Sequence, residues 1–251
     1  MLTDPWFYLA SVPAVLLFGV AKGGFGGAVA VLSVPLMALV MPPTQAAAIM
    51  LPILVVMDVL VVKTYWGLFD RRALSLLLPG AIAGVVLGYL VAEFMNEHYM
   101  RLLIGALSLV FGLQHLLGLT SRSSMEHKAS SATFFGGLAG FSSFSIHAGG
   151  PPLTIYLMPK NLTPVLYAGT AGVFFAVVNA VKLVPYYSLG QFTPDNLLLS
   201  AVLVPLAPLG VWLGHYLVQR SASGFYYKVI SFFLVVLGCK LLWDGWTGLT
   251  A

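Results

Sequence analysis

The segment Gly136–Pro152 limits what this chain can fold into more than any other. It reads Gly-Gly-Leu-Ala-Gly-Phe-Ser-Ser-Phe-Ser-Ile-His-Ala-Gly-Gly-Pro-Pro and lies within apolar sequence long enough to be buried in a membrane. Glycine and proline pairs interrupt a helix, and an interrupted backbone at membrane depth must be enclosed by protein or line a wet cavity. A second segment of the same character comes early: Gly19, then Lys22-Gly-Gly-Phe-Gly-Gly27. Paired interruptions in corresponding halves of a polytopic protein point to a binding site between them.

Composition supports the membrane setting. Apolar residues make up 59% of the 251 positions and charged residues 8%, against about 25% charged in soluble domains. Mean hydropathy is +0.95 and the pI about 9.2. The basic residues are few and scattered, which argues against a nucleic-acid partner and for a positive-inside bias. Cys239 is the sole cysteine, so no intramolecular disulfide can form. Asp4, with no Lys or Arg before the first apolar run, does not suit a cleavable signal peptide.

From Trp6 to Met41 the chain is apolar apart from Lys22 and a few small polar residues. As one helix it would reach about 54 Å, well beyond a hydrocarbon core of about 30 Å. The glycine cluster and Pro35 mark where it breaks. Helices are predicted over 44–65, 72–92 and 99–118, with Thr44 as a cap. A polar linker follows at 119–130. A second broken element spans 131–158, and helices are predicted over 164–186, 194–218 and 225–243, opened by Thr163-Pro164 and Thr193-Pro194.

The halves repeat. Pro79, Ala81, Gly84-Val85 and Leu87-Gly88 recur as Pro205, Ala207, Gly210-Val211 and Leu213-Gly214. Pro35-Leu36 and Met41-Pro42 recur as Pro152-Leu153 and Met158-Pro159. The expected fold is an all-α polytopic membrane protein forming a single transmembrane domain. It comprises two inverted repeats, 6–118 and 131–246, each a broken or re-entrant element followed by three transmembrane helices. Inversion is favoured because re-entrant elements gather Lys63, Arg71, Arg72, Arg122, Lys128, Lys160, Arg220 and Lys228 on one side. That side would be cytoplasmic, with both termini external.

Several polar residues could carry chemistry at membrane depth. Lys22, with Gly23, Gly24 and Gly26, and Ser142, Ser143, Ser145 and His147, with Gly149 and Gly150, form the candidate binding set. Backbone N–H groups at a helix break suit an anion, and Lys22 adds a full charge. The plainer readings are close packing for the glycines, bonds back to the preceding turn for the serines, and a satisfied core position for His147. Asp58 could take up a proton for coupling, or pair with Lys22 or Lys63. Asn179 holds a comparable place in the second half, three residues before Lys182. Together with Asp58, the residues Asn179, Lys63 and Lys182 are candidates for coupling or gating, although Lys63 and Lys182 lie near helix ends, where snorkelling to the headgroups is the favoured reading. The histidines are too dispersed for a metal site, and no nucleotide-binding loop occurs.

Through Gly19-x2-Lys22-Gly-Gly-Phe-Gly-Gly27 and Gly136-Gly137…Gly140…His147-x-Gly-Gly-Pro-Pro152, the chain resembles the TauE/SafE family of membrane transporters over nearly its whole length. The resemblance implies movement of small anions, such as sulfite, organosulfonates or related carboxylates, across the plasma membrane, often outward and without ATP-binding machinery. The leading expectation is therefore a secondary anion transporter, not an enzyme, without cofactors. Alternating access would be coupled to protons or to the membrane potential. Its partners would be the small anion and the bilayer, and a homodimer is an admitted assembly. A passive anion channel is the alternative; an intramembrane enzyme is disfavoured by the absence of a Gly-x-Ser-x-Gly elbow.

Overall fold

The computed structural model describes residues 4–25, 30, 33–92, 97–118 and 128–250. Gly26 and most of the 119–130 linker lie outside them. Eleven α-helices are described: α1 Pro5–Gly24, α2 Ser33–Met37, α3 Pro43–Thr64, α4 Arg71–Leu90, α5 Glu97–Leu116, α6 Ala129–Ile146, α7 Gly150–Leu157, α8 Pro164–Ser188, α9 Pro194–Leu203, α10 Leu206–Arg220 and α11 Ser223–Thr250. A 3-10 turn, Met158–Lys160, follows α7. No strand occurs among the described residues.

Five of these helices are long and apolar enough to cross a membrane; a sixth span is formed if α9 and α10 act together. Their outward positions are apolar, as at Val59, Leu90, Trp212 and Trp243. Such helices are hydrophobic around much of their circumference and suit a lipid surround.

Local chemistry sets the ends. The Asp4 carboxylate accepts from the Trp6 amide at 3.0 Å and Asp70 from the Ala73 amide at 2.9 Å. The Thr163 and Thr193 hydroxyls accept from the Leu166 and Asn196 amides, each cap followed by proline in the first turn. These contacts satisfy N–H groups that have no intrahelical acceptor. The expected cap at Thr44 is not used, since α3 already begins at Pro43. The helix expected over 194–218 is broken between Leu203 and Leu206, and its two parts are bent by 47°. Pro205 lies at the break, where it can neither donate an amide hydrogen nor avoid the carbonyl four residues back. Pro79, at the corresponding position, stays inside the continuous α4.

Three close helix pairs hold the bundle: α1 with α10, α4 with α6, and α5 with α11. Each is a seam of glycines. A β-carbon at Gly19 would lie 2.8 Å from the Gly210 Cα, and Gly23 and Gly24 face the Val211 and Gly214 backbone. Across the second seam Gly84 faces Gly137, and Gly140 faces Ala81. A β-carbon at Gly105 would lie 2.9 Å from the Leu242 amide. Small residues allow this backbone proximity where apolar surroundings give side chains no reason to associate.

Helices α3 and α8 run antiparallel. Leu68, just past the end of α3, meets Gly169 near the start of α8; Val61 meets Gly172; and Asp58 meets Asn179. Helices α5 and α11 are antiparallel as well, since Gly112 faces Ser231 while His98 faces Gly248.

Candidate functional site

The two interruptions come together around a buried polar cluster. Lys22 lies in the last turn of α1, three residues before the helix stops at Phe25. Its Nζ is 2.5 Å from Asp58 Oδ1 and donates to the Leu54 carbonyl at 3.3 Å. The other Asp58 oxygen accepts from Asn179 Nδ2 at 2.8 Å. One helical turn along α8, the Lys182 ammonium donates to the Ser143 carbonyl at 2.7 Å, the Ser143 hydroxyl at 3.3 Å and the Asn179 Oδ1 at 3.5 Å. It also lies 2.7 Å from His147 Nδ1.

Lys22, Asp58, Asn179, Lys182, Ser143 and His147 thus form one continuous chain of polar contacts. Their placement joins both halves: α1 and α3 from the first, α6 and α8 from the second. The sequence reading expected Lys182 to snorkel, but it is wholly buried. α8 continues six residues past Lys182, and the last turn of α6 supplies acceptors beside it. Its three-residue spacing from Asn179 was the signal that placed both on one face.

His147 is held from both ring nitrogens. Nδ1 faces Lys182, and Nε2 lies 3.2 Å from the Ala47 carbonyl. A lysine only donates and a carbonyl only accepts, so the partners assign a neutral ring with its proton on Nε2. The residue adopts the left-handed conformation, φ 53°, as it terminates α6. The turn therefore aims the imidazole into the cluster.

The remaining predicted residues separate into two groups. Ser142 donates to the Leu138 carbonyl at 2.7 Å and the Ala148 carbonyl at 3.1 Å, tying the break together. Ser145 donates to the Phe141 carbonyl at 2.8 Å. Gly23 and Gly24 face α10 at the glycine seam, and their carbonyls accept from the Tyr65 and Tyr226 hydroxyls at 2.5 and 2.7 Å. Gly149 packs against Ala139, Phe175 and Ser143. Gly150 lines the cavity described next. Lys63 lies apart, on an outer groove between α3 and α8.

Lys22, Ser143, His147, Gly150 and Asn179 surround a cavity of about 10 Å³, closed on its apolar side by Phe18, Leu54 and Phe175. That is room for about one water molecule. Leu54 and Phe175 are 121 positions apart, as are Lys22 and Ser143, and Asp58 and Asn179 share the same offset. Residue pairs at one constant separation therefore meet at this cavity. The backbone contributes less than the sequence suggested, because Pro151 and Pro152 supply no N–H at the start of α7. Side chains dominate the site.

Formal charges do not cancel here: two buried lysines share one buried carboxylate. Burying an unpaired cation is costly, which makes the cluster complementary to one added negative charge. No group of His, Cys, Asp and Glu among the described residues could hold a metal ion.

A family model described as Sulfite exporter TauE/SafE matches residues 11–241. The chain is also 25% identical over 178 residues to the "Probable sulfite/organosulfonate exporter TauE" of Cupriavidus necator, covering 69% of this chain and 68% of that protein. No solved structure matches.

Proposed function

Because the chain belongs to the TauE/SafE sulfite exporter family, we propose that it is a secondary transporter of small anions, exporting sulfite, organosulfonates or related carboxylates by alternating access. The anion sits in an enlarged form of the cavity, between Lys22 and the Ser143–His147 break, with Lys182 and Asn179 behind it. The observation that carries this reading is the charge imbalance: Lys22 and Lys182 are both buried with Asp58 as the carboxylate between them. A cavity this small corresponds to a closed conformation, and admitting a sulfonate requires the two halves to move apart.

The inverted-repeat reading is supported by the antiparallel course of the equivalent helices α3 and α8 and of α5 and α11. Repeats related by an axis along the membrane normal would run these pairs parallel. Sidedness follows from charge. Lys160 is close enough to Asp70 and Arg72 to feel both, so two residues of the expected cytoplasmic set and a counter-ion lie near one another, which supports this sidedness. Both termini then face outward from the plasma membrane.

Flux of sulfite and of 2-hydroxyethanesulfonate into proteoliposomes tests the assignment. The expected result is saturable flux with counterflow, lost in Lys22→Ala. Unsaturable flux without counterflow identifies a channel instead, and parent-level flux in Lys22→Ala removes the site.

A further inference from the structure

A groove of about 550 Å³ opens on the outside of the bundle between α3 and α8. Its walls are Val55, Val59, Val62, Ala176 and Ala180, and Asp58 is the carboxylate that reaches it. Val59 is 64% exposed on one wall, whereas Asp58 is only 4% exposed. The same Asp58 contacts Lys22 and Asn179, both of which line the inner cavity. One side chain therefore stands between the outer groove and the inner site.

We propose that Asp58 is a proton-binding carboxylate at the head of this groove, and that its protonation frees Lys22 for the substrate anion. The inference rests on the anion reading of the cavity and adds a stoichiometry to it. With Asp58 ionised, Lys22 is neutralised from within the protein. When the carboxylate takes up one proton it becomes a neutral acid, and the Lys22 charge is available to one monovalent anion. Proton and anion thus bind together, one for one, and the net charge of the cluster is the same in both states.

The groups facing Asp58 suit this exchange. Lys22 approaches from α1, and Asn179 and Lys182 from α8; Lys63 on α3 itself also lines the groove. α2 carries no titratable side chain. α9 bonds Ser200 to Ile49, and α10 sets His215 against Tyr65, each about two helical turns or more from Asp58. An Asn179 amide holds the second oxygen in either state, since its Nδ2 donates and its Oδ1 can accept.

Dicyclohexylcarbodiimide, an apolar reagent that adds to protonated carboxyl groups, tests the proposal on the full-length protein in lipid nanodiscs, with mass spectrometry reporting modification at Asp58. The expected labelling rate rises about tenfold per unit fall in pH while Asp58 is mostly ionised. Adding 2-hydroxyethanesulfonate, which stays ionised throughout, accelerates labelling at fixed pH. Ala180→Trp, on an exposed wall position, slows labelling at least tenfold; Ala180→Leu serves as a milder block. An Asp58 that resists the reagent at every pH between 5 and 8, or that labels as fast in Ala180→Trp and Ala180→Leu as in the parent, overturns the placing of the proton at Asp58 on this groove. If pH and groove act as expected but the sulfonate slows labelling or leaves it unchanged, the exchange at Lys22 is wrong. If, in addition, the sulfonate fails to bind at all in a thermal-shift assay, the anion reading of the cavity fails with it.

Discussion

Tyr65 and Tyr186 make the same bond 121 positions apart. The Tyr65 hydroxyl donates to the Gly23 carbonyl at the end of α1, and the Tyr186 hydroxyl donates to the Phe144 carbonyl at the end of α6. Gly23 and Phe144 are separated by the same 121 positions. Each tyrosine holds a carbonyl at a point where a helix stops and intrahelical donors run out.

Removing either hydroxyl leaves a buried carbonyl without this donor. Tyr65→Phe and Tyr186→Phe are each expected to cost about 1–3 kcal/mol of stability, read as a lower thermal unfolding midpoint in detergent. Because the two donors serve different helices, the double variant should be close to the sum of the singles. A strongly non-additive pair would mean that the breaks are mechanically linked.

Lys182 and Lys63 divide the predicted lysines into a site residue and a surface residue. Lys182→Met should lower the affinity for 2-hydroxyethanesulfonate at least tenfold while retaining the fold, because methionine fills much of the same volume. Lys63→Met should leave affinity within about twofold of the parent, as expected of an exposed charge. Calorimetric titration distinguishes them. Equal losses would move the binding site to the outer groove.

The seam glycines are steric requirements. A β-carbon at Gly140 would collide with the Ala81 carbonyl, and one at Gly23 with the Val211 carbonyl, both backbone atoms that cannot rotate away. Gly140→Ala and Gly23→Ala should therefore reduce the yield of monodisperse protein severely. Gly67→Ala is the contrast. Nothing lies within 4 Å of its β-carbon, but φ is +79°, so a strain of about 1–2 kcal/mol is the whole expected effect. Size-exclusion profiles of the three variants check the ranking.

His147 combines a backbone role with a side-chain role, and two substitutions separate them. Asparagine tolerates the left-handed conformation far better than most residues, so His147→Asn should keep near-parent stability while losing the link between Lys182 and Ala47. His147→Val should lose both. Flux should fall in each; the melting temperature should fall markedly in valine alone. A fully active His147→Asn would reduce the imidazole to a structural part.

Much of this arrangement was legible in the residues. The two interruptions, the order of the helices and the glycine ridges follow from rules acting within a few residues: proline geometry, small side chains at four-residue spacing and threonine caps. The site was harder to read because its polar cluster is assembled from four elements, α1, α3, α6 and α8, that lie far apart in sequence. Lys22 was singled out because a charge deep in an apolar run needs a partner, and Asp58, one of the partners weighed, is the charge it meets. Lys182 was misjudged because its distance from the helix end was counted without the continuation of α8 to Ser188 and without the acceptors of α6. Ser142 and Ser145 resemble Ser143 in sequence; only the direction of each helical face separates the residue that meets Lys182 from those that bond to their own helix. The break at Pro205 was missed because Pro79, its counterpart, sits in an unbroken helix.

The exchanged seams impose an order on biogenesis. The ridge of α4 can be covered by α6 soon after the intervening α5 has been made, but α1 must wait for α10, nearly 200 residues further along the chain. At roughly 5–20 residues per second, that leaves the Gly19–Gly24 ridge without its final neighbours for on the order of 10–40 s of translation. During that interval the growing chain needs the translocon or a chaperone to cover the exposed glycine face of α1. Sequence changes in α1 should then act on insertion efficiency before they act on the finished transporter.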